Sequence, residues 1–442
     1  MSTKKETAVH FRRTGLVGLA AALALVPMAV AIGPATAEPP AAPAAAGDFY
    51  QAPADLPGSN GSVIKSEPAA LLAGSPLAAL ATPATATRIM YQSADTNGAP
   101  IATTGIVLNP TGPWAGPGPR PLVSLAVGTH GAGDGCGPSR LLADAVTVDG
   151  SGVPMFELQI ADIAALAARG IAVVVTDYQG LGTETVHTYL QPVPEAHAVL
   201  DAARAAIRLG VVEPTAPVGV WGVSQGGQAA GGTAQLATSY APDVNLVGTV
   251  MGAPAVSATA TLHNADGKLL NGTIGFFLNG LMASRPELTE AITTTLNPAG
   301  MEFLRGTAQQ CDFGIMLTRS FAPTSEYTRN GQSITDNLMA DPAIRPVLDN
   351  LDLRTGPTPD KPVLIMQNIN DEAVDPTMTR QLADTWCSHD ATIAYDNSMD
   401  TPPLLPQIGF LAHAATLRGF GEATQWLVDR FAGQSLPRGC TN

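Results

Sequence analysis

The chain has 442 residues, 45% of them hydrophobic, a formal charge of −14 and four cysteines. That apolar share supports a large packed core and excludes a disordered chain. No run of lysine or arginine follows the N-terminal region, so the basic surface that phosphate backbones attract is missing and no nucleic-acid partner is expected.

Lys4, Lys5, Arg12 and Arg13 precede an apolar run at 15–33, and Ala35-Thr36-Ala37 supplies small residues before Glu38. This is the pattern of a signal peptide over residues 1–37. The run approaches membrane-spanning length, but Pro27 and the A-x-A site favour cleavage over an uncleaved anchor. Arg12-Arg13 alone does not distinguish twin-arginine export from the general route. A secreted protein, extracellular or held at the envelope, is therefore expected. In that setting Cys136, Cys311, Cys387 and Cys440, none at C-x-x-C spacing, read as two disulfides, and spacing alone permits three pairings.

Residues 38–58 are rich in Pro and Ala and read as a flexible leading segment, with order beginning after it. Two strand-like runs follow in 88–110, around an Asn97-Gly98 dipeptide suited to the positive φ angles of a tight hairpin. The pattern then changes. Apolar runs at 121–127, 171–177, 216–223, 245–253 and 361–367 read as strands buried on both faces, with helical patterns at 155–170 and 195–210 between them. The fold class is α/β, a mostly parallel sheet flanked by helices. The core spans 59–255 and 356–442. Between 256 and 355 the strand signal disappears, and these residues read as a helical insertion, a cap or lid over the strand ends where function resides in such folds. Its apolar run at 274–283 fits a lid surface turned towards lipid and a packed helix equally well.

Gly222-Val223-Ser224-Gln225-Gly226 is a G-x-S-x-G motif that follows a predicted strand and opens a predicted helix. A sharp turn there holds a serine Oγ clear of the sheet, and the flanking glycines admit close backbone approach. A serine nucleophile needs a base, and the base an orienting acid, in the chain order Ser, acid, His. Of the histidines after Ser224, His263 precedes any acid-bearing strand and His389 falls before a strand-like run, at the end of the sheet opposite the serine. His413 comes after that run and before the last helix, so it is the expected base, with His389 in reserve. Asp371 is the first carboxylate after the strand at 361–367 and is the expected acid; Asp375, just before Pro376, reads as a helix cap. The oxyanion donors are expected to be the backbone N–H of Gln225 and one from the glycine-rich loop 127–139, Thr129 being favoured over its neighbours Gly128 and His130. His130 has no second ligand at metal spacing and reads as pocket lining. Asp177 and Tyr178, at the end of another strand, read as shaping the site or as loop scaffold. The scheme needs neither metal nor cofactor.

Taken in order, "DFYQAP", the Cys136 loop, "DYQGLG", Ser224 in its motif, "NDEAVDP" and His413 ahead of "QWLVDRFAG" resemble the secretory lipase family of α/β-hydrolases. The resemblance implies hydrolysis of carboxylic esters, often triacylglycerols, under a helical lid inserted between nucleophile and acid. It also implies the pairs Cys136–Cys311 and Cys387–Cys440. The expected partner is a lipid or other ester substrate, met at a lipid–water interface. A short-chain esterase, an acyltransferase or a serine peptidase would use the same triad.

Overall fold

Strands apolar at consecutive positions need cover on both faces, and that requirement organises the structure. The computed structural model describes residues 49–56, 58–73, 83–403 and 405–441; the signal peptide read at 1–37 lies outside them. One sheet contains β1 Val63–Ala69, β2 Ala84–Ala94, β3 Pro100–Pro110, β4 Leu122–Ala126, β5 Ala172–Thr176, β6 Val218–Val223, β7 Leu246–Gly252, β8 Val363–Met366, β9 Thr392–Asp396 and β10 Gly439–Thr441. Their spatial order is β1-β2-β3-β5-β4-β6-β7-β8-β9-β10. The β1–β2, β2–β3 and β3–β5 pairs are antiparallel, and every pairing from β5 onward is parallel. Every residue of β4, β5, β6 and β8 is buried, as their mostly apolar content, with only small polar or glycine interruptions, demands.

Helices α1 Pro138–Asp144, α2 Ile160–Ala168, α3 Pro192–Arg208 and α4 Gln225–Tyr240 pack on the sheet. The insertion between β7 and β8 contains α5 Ala258–Ala265, α6 Thr273–Ser284, α7 Thr289–Thr295, α8 Pro298–Thr307, α9 Asp312–Thr318, α10 Ile334–Ala340 and α11 Arg345–Asn350. After β8 come α12 Pro376–Ser388, α13 Leu411–Ala414 and α14 Phe420–Phe431. The insertion has its own apolar core, distinct from the one around the sheet, in which Phe276, Phe277 and Leu281 are fully buried with Phe303. The run at 274–283 is thus a packed helix and does not offer lipid a greasy outer face.

Three local expectations need correction. The leading segment is ordered by residue 49: Phe49 and Tyr50 are buried against Met90 and Ala102, and the Tyr50 hydroxyl lies 2.8 Å from Ser139 Oγ, because two adjacent aromatics find an apolar slot beside the first hairpin. The hairpin turn is longer than a two-residue connection. Asp95 Oδ1 accepts the amides of Asn97 and Ala99, each at 2.8 Å, and only Gly98 takes a positive φ, 83°; the aspartate side chain favours this wider turn. Helix α2 begins at Ile160 and not near 155, since Pro154–Met155 pairs with Thr147–Val148 and Glu157 Oε1 accepts the Gln159 amide at 2.9 Å.

Two disulfides, Cys136–Cys311 and Cys387–Cys440, are present. The first joins the loop after β4 to the start of α9, and the second ties α12 to β10.

Candidate active site

Val223 ends β6, and Ser224 turns the chain into α4 with φ 63° and ψ −120°, a backbone conformation that is strained for any residue carrying a Cβ. The surroundings hold it there: Ser224 N donates to the Gly252 carbonyl at 2.9 Å, and the Ser224 carbonyl accepts the Gln228 amide at 3.0 Å. The glycines around it are required by contact. A Cβ on Gly226 would collide with the Ala126 carbonyl of β4, and one on Gly227 would stand 2.6 Å from the Gly252 carbonyl of β7. With α4 starting at Gln225, its first amides are free of intrahelical partners beside the serine.

The loop after β8 and helix α13 are tied to each other at several points. Asp371 Oδ2 lies 2.8 Å from His413 Nδ1 and 3.2 Å from Gln367 Nε2, and its Oδ1 accepts the amides of Ala373 and Val374 at 2.9 and 3.0 Å. A carboxylate here can only accept, so Nδ1 of His413 carries the proton and Nε2 is left as the basic nitrogen. Asn368 Nδ2 donates to the Ala412 carbonyl at 2.8 Å, and Glu372 accepts the Ala412 amide at 3.0 Å. The backbone next to His413 is therefore fixed from the loop after β8. His413 is buried, which opposes its cation, but the Asp371 carboxylate, its hydrogen bond and the nearby Glu372 outweigh that and raise the imidazole pKa above its ordinary value.

Ser224 and His413 line one cavity of about 90 Å³. Thr129, His130, Gln159 and Asp312 form its polar wall, and Val223, Leu270, Met316, Phe410 and Leu417 contribute apolar surface. Of the three oxyanion alternatives, the Gly128 amide is already engaged, donating to Gln159 Oε1 at 3.1 Å, while the Thr129 hydroxyl lies 3.0 Å from the Tyr189 hydroxyl. His130 is buried with its ring between the Gly128 carbonyl and Glu157 Oε2, each at 2.9 Å. Burial alone would depress its pKa, but Glu157 drives it up to about 9, while burial pushes Asp312 up to about 7. One side of the cavity is thus lined by His130, paired with Glu157 behind it, and by the buried carboxyl group of Asp312. The sequence placed His130 on the wall but not its partners; Glu157 fell within a supposed helix, and Asp312 belongs to the distant insertion.

The other sequence-selected residues have different surroundings. His389 caps the C-terminal end of α12 and is exposed. His263 is half-exposed, 3.9 Å from Asp336. Asp375 caps α12, accepting the Thr377 amide at 2.8 Å. Asp177 serves as scaffold, accepting from Ser139 N at 2.7 Å and Thr104 Oγ1 at 2.6 Å and so fastening α1 to the sheet. Tyr178, with φ 62°, donates its hydroxyl to the Val127 carbonyl at 2.9 Å, supporting the loop that carries Thr129. The insertion reaches the same loop. Ala132 N donates to the Gln310 carbonyl and Asp312 N to the His130 carbonyl, both at 3.0 Å, next to the Cys136–Cys311 disulfide.

A larger surface groove of about 800 Å³, where His263, Asp352, Arg354 and Gln381 lie between the insertion and α12, includes neither Ser224 nor His413. Among the described residues, no cluster of three His, Cys, Asp or Glu side chains has the arrangement to hold a metal ion.

Comparison with known proteins places this arrangement in context. A sequence profile described as secretory lipase matches residues 151–439. Lipase A of Arthroderma benhamiae is 28% identical over 359 residues, covering 80% of this chain and 72% of its own length. A Mycobacterium tuberculosis protein named a "probable inactive lipase" is also 28% identical over 359 residues, covering 80% and 75%. A secreted triacylglycerol lipase of Malassezia furfur is 27% identical over 280 residues, covering 62% and 69%. Among solved structures, Candida antarctica lipase A in its closed state superposes with a TM-score of 0.71 at 21% identity, over 86% of this chain and 84% of that one. The rice cell wall degrading esterase LipA of Xanthomonas oryzae gives 0.68 at 18% identity, over 84% and 100%. The profile match spans the serine turn, the acid loop and the histidine, and the fold around them is shared; the chain belongs to the secretory lipase family of α/β-hydrolases and is a carboxylic ester hydrolase.

Proposed function

We propose that the protein is a secreted lipase that cleaves carboxylic esters of lipids, triacylglycerols among them, through an acyl-enzyme on Ser224. The observation that carries this reading is the shared cavity of Ser224 and His413, with the proton-bearing Nδ1 of His413 held by Asp371 at 2.8 Å. His413 Nε2 takes the Ser224 proton as Oγ attacks the ester carbonyl, and Asp371 stabilises the imidazolium so formed. The amides of Gln225 and Thr129 receive the oxyanion. His413 then protonates the departing alcohol and activates the water that releases the acid. One relative is named inactive; this chain carries the full set of Ser224, Asp371 and His413.

The expected substrate surface is lipid. Leu158 and Leu417 line the cavity and are 45% and 37% exposed. Leu317, next to the cavity residue Met316, is 75% exposed, and Phe321 is 54% exposed. Exposed leucines on the cavity wall, with further exposed apolar side chains on the segment after Met316, suit contact with an acyl-chain surface. Secretion is supported by the signal-like N-terminus, the two disulfides and the secreted relatives. The core at 59–255 and 356–442 supplies the triad, and the insertion at 256–355 acts as the cap.

Hydrolysis of p-nitrophenyl esters from acetate to palmitate, and of emulsified triolein, by the wild type and Ser224→Ala tests this reading. Serine-dependent turnover of palmitate and triolein is expected. Turnover confined to short soluble esters would make the protein an esterase, and undiminished activity in Ser224→Ala would overturn the nucleophile.

A further inference from the structure

The Gln225 side chain, directly after the nucleophile, is almost fully buried and points away from solvent into a polar network that the reaction scheme above does not use. Its Nε2 lies 2.8 Å from Glu195 Oε1 and 2.9 Å from His187 Nε2. His187 Nδ1 lies 2.9 Å from the Gln179 carbonyl, which can only accept, so the proton is on Nδ1 and Nε2 accepts from Gln225. Burial lowers the His187 pKa to about 4, which keeps that ring neutral, and burial pushes the Glu195 carboxyl well above its usual range. Glu195 Oε1 also accepts the Leu190 amide at 3.2 Å, while its Oε2 is buried without a hydrogen-bond partner. Keeping a carboxyl group there has a desolvation cost that packing alone does not explain.

The network also reaches the other side of the oxyanion site. The His187 ring stacks on Tyr178, centroids 6.0 Å apart, and the Tyr178 hydroxyl holds the Val127 carbonyl, two residues before Thr129. Resting on the proposed roles of Ser224, Gln225 and Thr129, we infer that Glu195 and His187 are positioning residues that aim the Gln225 amide and keep it in register with the Thr129 loop. Both amide hydrogens of the Gln225 side chain are committed, one to each partner, so the first turn of α4 cannot rotate without breaking one of them. A group aimed this way acts only on the charge that develops at the transition state, so its loss lowers kcat and spares KM.

The test is steady-state kinetics on p-nitrophenyl butyrate for Glu195→Ala, Glu195→Gln, Gln225→Ala and the Glu195→Ala/Gln225→Ala double variant, beside Ser224→Ala. Removing an oxyanion donor outright costs about 10²–10³ in kcat, so misaiming one is expected to cost roughly 10–100-fold with KM within about twofold. Glu195→Gln keeps an acceptor for Gln225 and is expected to restore most of the rate. The double variant should be no slower than the slower single one, because both break one link. Wild-type kcat in Glu195→Ala, or a loss carried by KM, would overturn the inference, as would full additivity. Should Glu195→Ala fail to fold, Gln225→Ala decides alone: unchanged kcat refutes the positioning role. Activity surviving in Ser224→Ala would instead refute the underlying nucleophile, a distinct result.

Discussion

Asp371 grips His413 with one oxygen and its own loop with the other: Oδ2 lies 2.8 Å from His413 Nδ1, and Oδ1 accepts the amides of Ala373 and Val374. The two loop amides fix which oxygen faces the imidazole. In Asp371→Asn those amides would still demand an acceptor, so the side-chain NH2 would turn towards His413 and force its proton onto Nε2. The variant is expected to fold normally and to lose about 10⁴ in kcat, measured on p-nitrophenyl butyrate with a melting curve as control.

The pH dependence follows from the raised pKa of His413. The base acts as the neutral ring, so kcat/KM should climb as pH rises through a midpoint above about 6.5, the ordinary histidine value. Glu372 contributes to the shift by its charge, so Glu372→Gln should move that midpoint to lower pH. A pH–rate profile of both proteins checks this; an unmoved or raised midpoint in Glu372→Gln would contradict it.

The two disulfides should differ in what they protect. Cys136–Cys311 spans a sequence separation of 175 and anchors the loop carrying Thr129 to α9 beside the His130–Asp312 backbone contact, whereas Cys387–Cys440 joins α12 to the edge strand β10. Replacing either pair with serine should cost about 2–5 kcal/mol of stability. Only the Cys136→Ser/Cys311→Ser protein should also lose kcat at temperatures where it remains folded, as assayed by circular dichroism and ester turnover in parallel.

The exposed apolar side chains after Met316 should matter for aggregated substrate alone. Leu317 and Phe321 are exposed and are not among the residues that line the cavity. Leu317→Ser/Phe321→Ser is expected to retain its rate on soluble p-nitrophenyl acetate and to lose about tenfold or more on emulsified triolein, each lost apolar side chain being worth about 1.5–3 kcal/mol if fully buried against lipid. Equal losses on both substrates would point to a structural defect.

Much of the architecture was legible because it rests on local signals. Continuous apolar runs marked the parallel strands, and the glycines around Ser224 marked the turn, since each requirement is written within a few adjacent residues. The candidate acid and base could be ordered along the chain by strand ends, and the fold brings Asp371 and His413 together. What escaped notice depends on contacts distant in sequence. Glu157 and Asp312 flank His130 from a loop and from the insertion, and Glu195 reaches Gln225 from α3, thirty residues earlier. Phe49 and Tyr50 were hidden in a Pro/Ala-rich stretch whose composition said nothing of the slot they fill. Asp371 is the expected partner of the imidazole because it is the first carboxylate after the strand; what the sequence does not show is that Glu372 beside it accepts the Ala412 amide.

The central claim is that Ser224 becomes covalently acylated. Intact-protein mass spectrometry after treatment with a p-nitrophenyl alkylphosphonate, followed by peptide mapping, tests it most directly. The predicted result is loss of ester hydrolysis in step with a single phosphonyl adduct on the peptide carrying Ser224, with no adduct on Ser224→Ala. Loss of hydrolysis with the label on another residue, or hydrolysis continuing with Ser224 fully labelled, would contradict it.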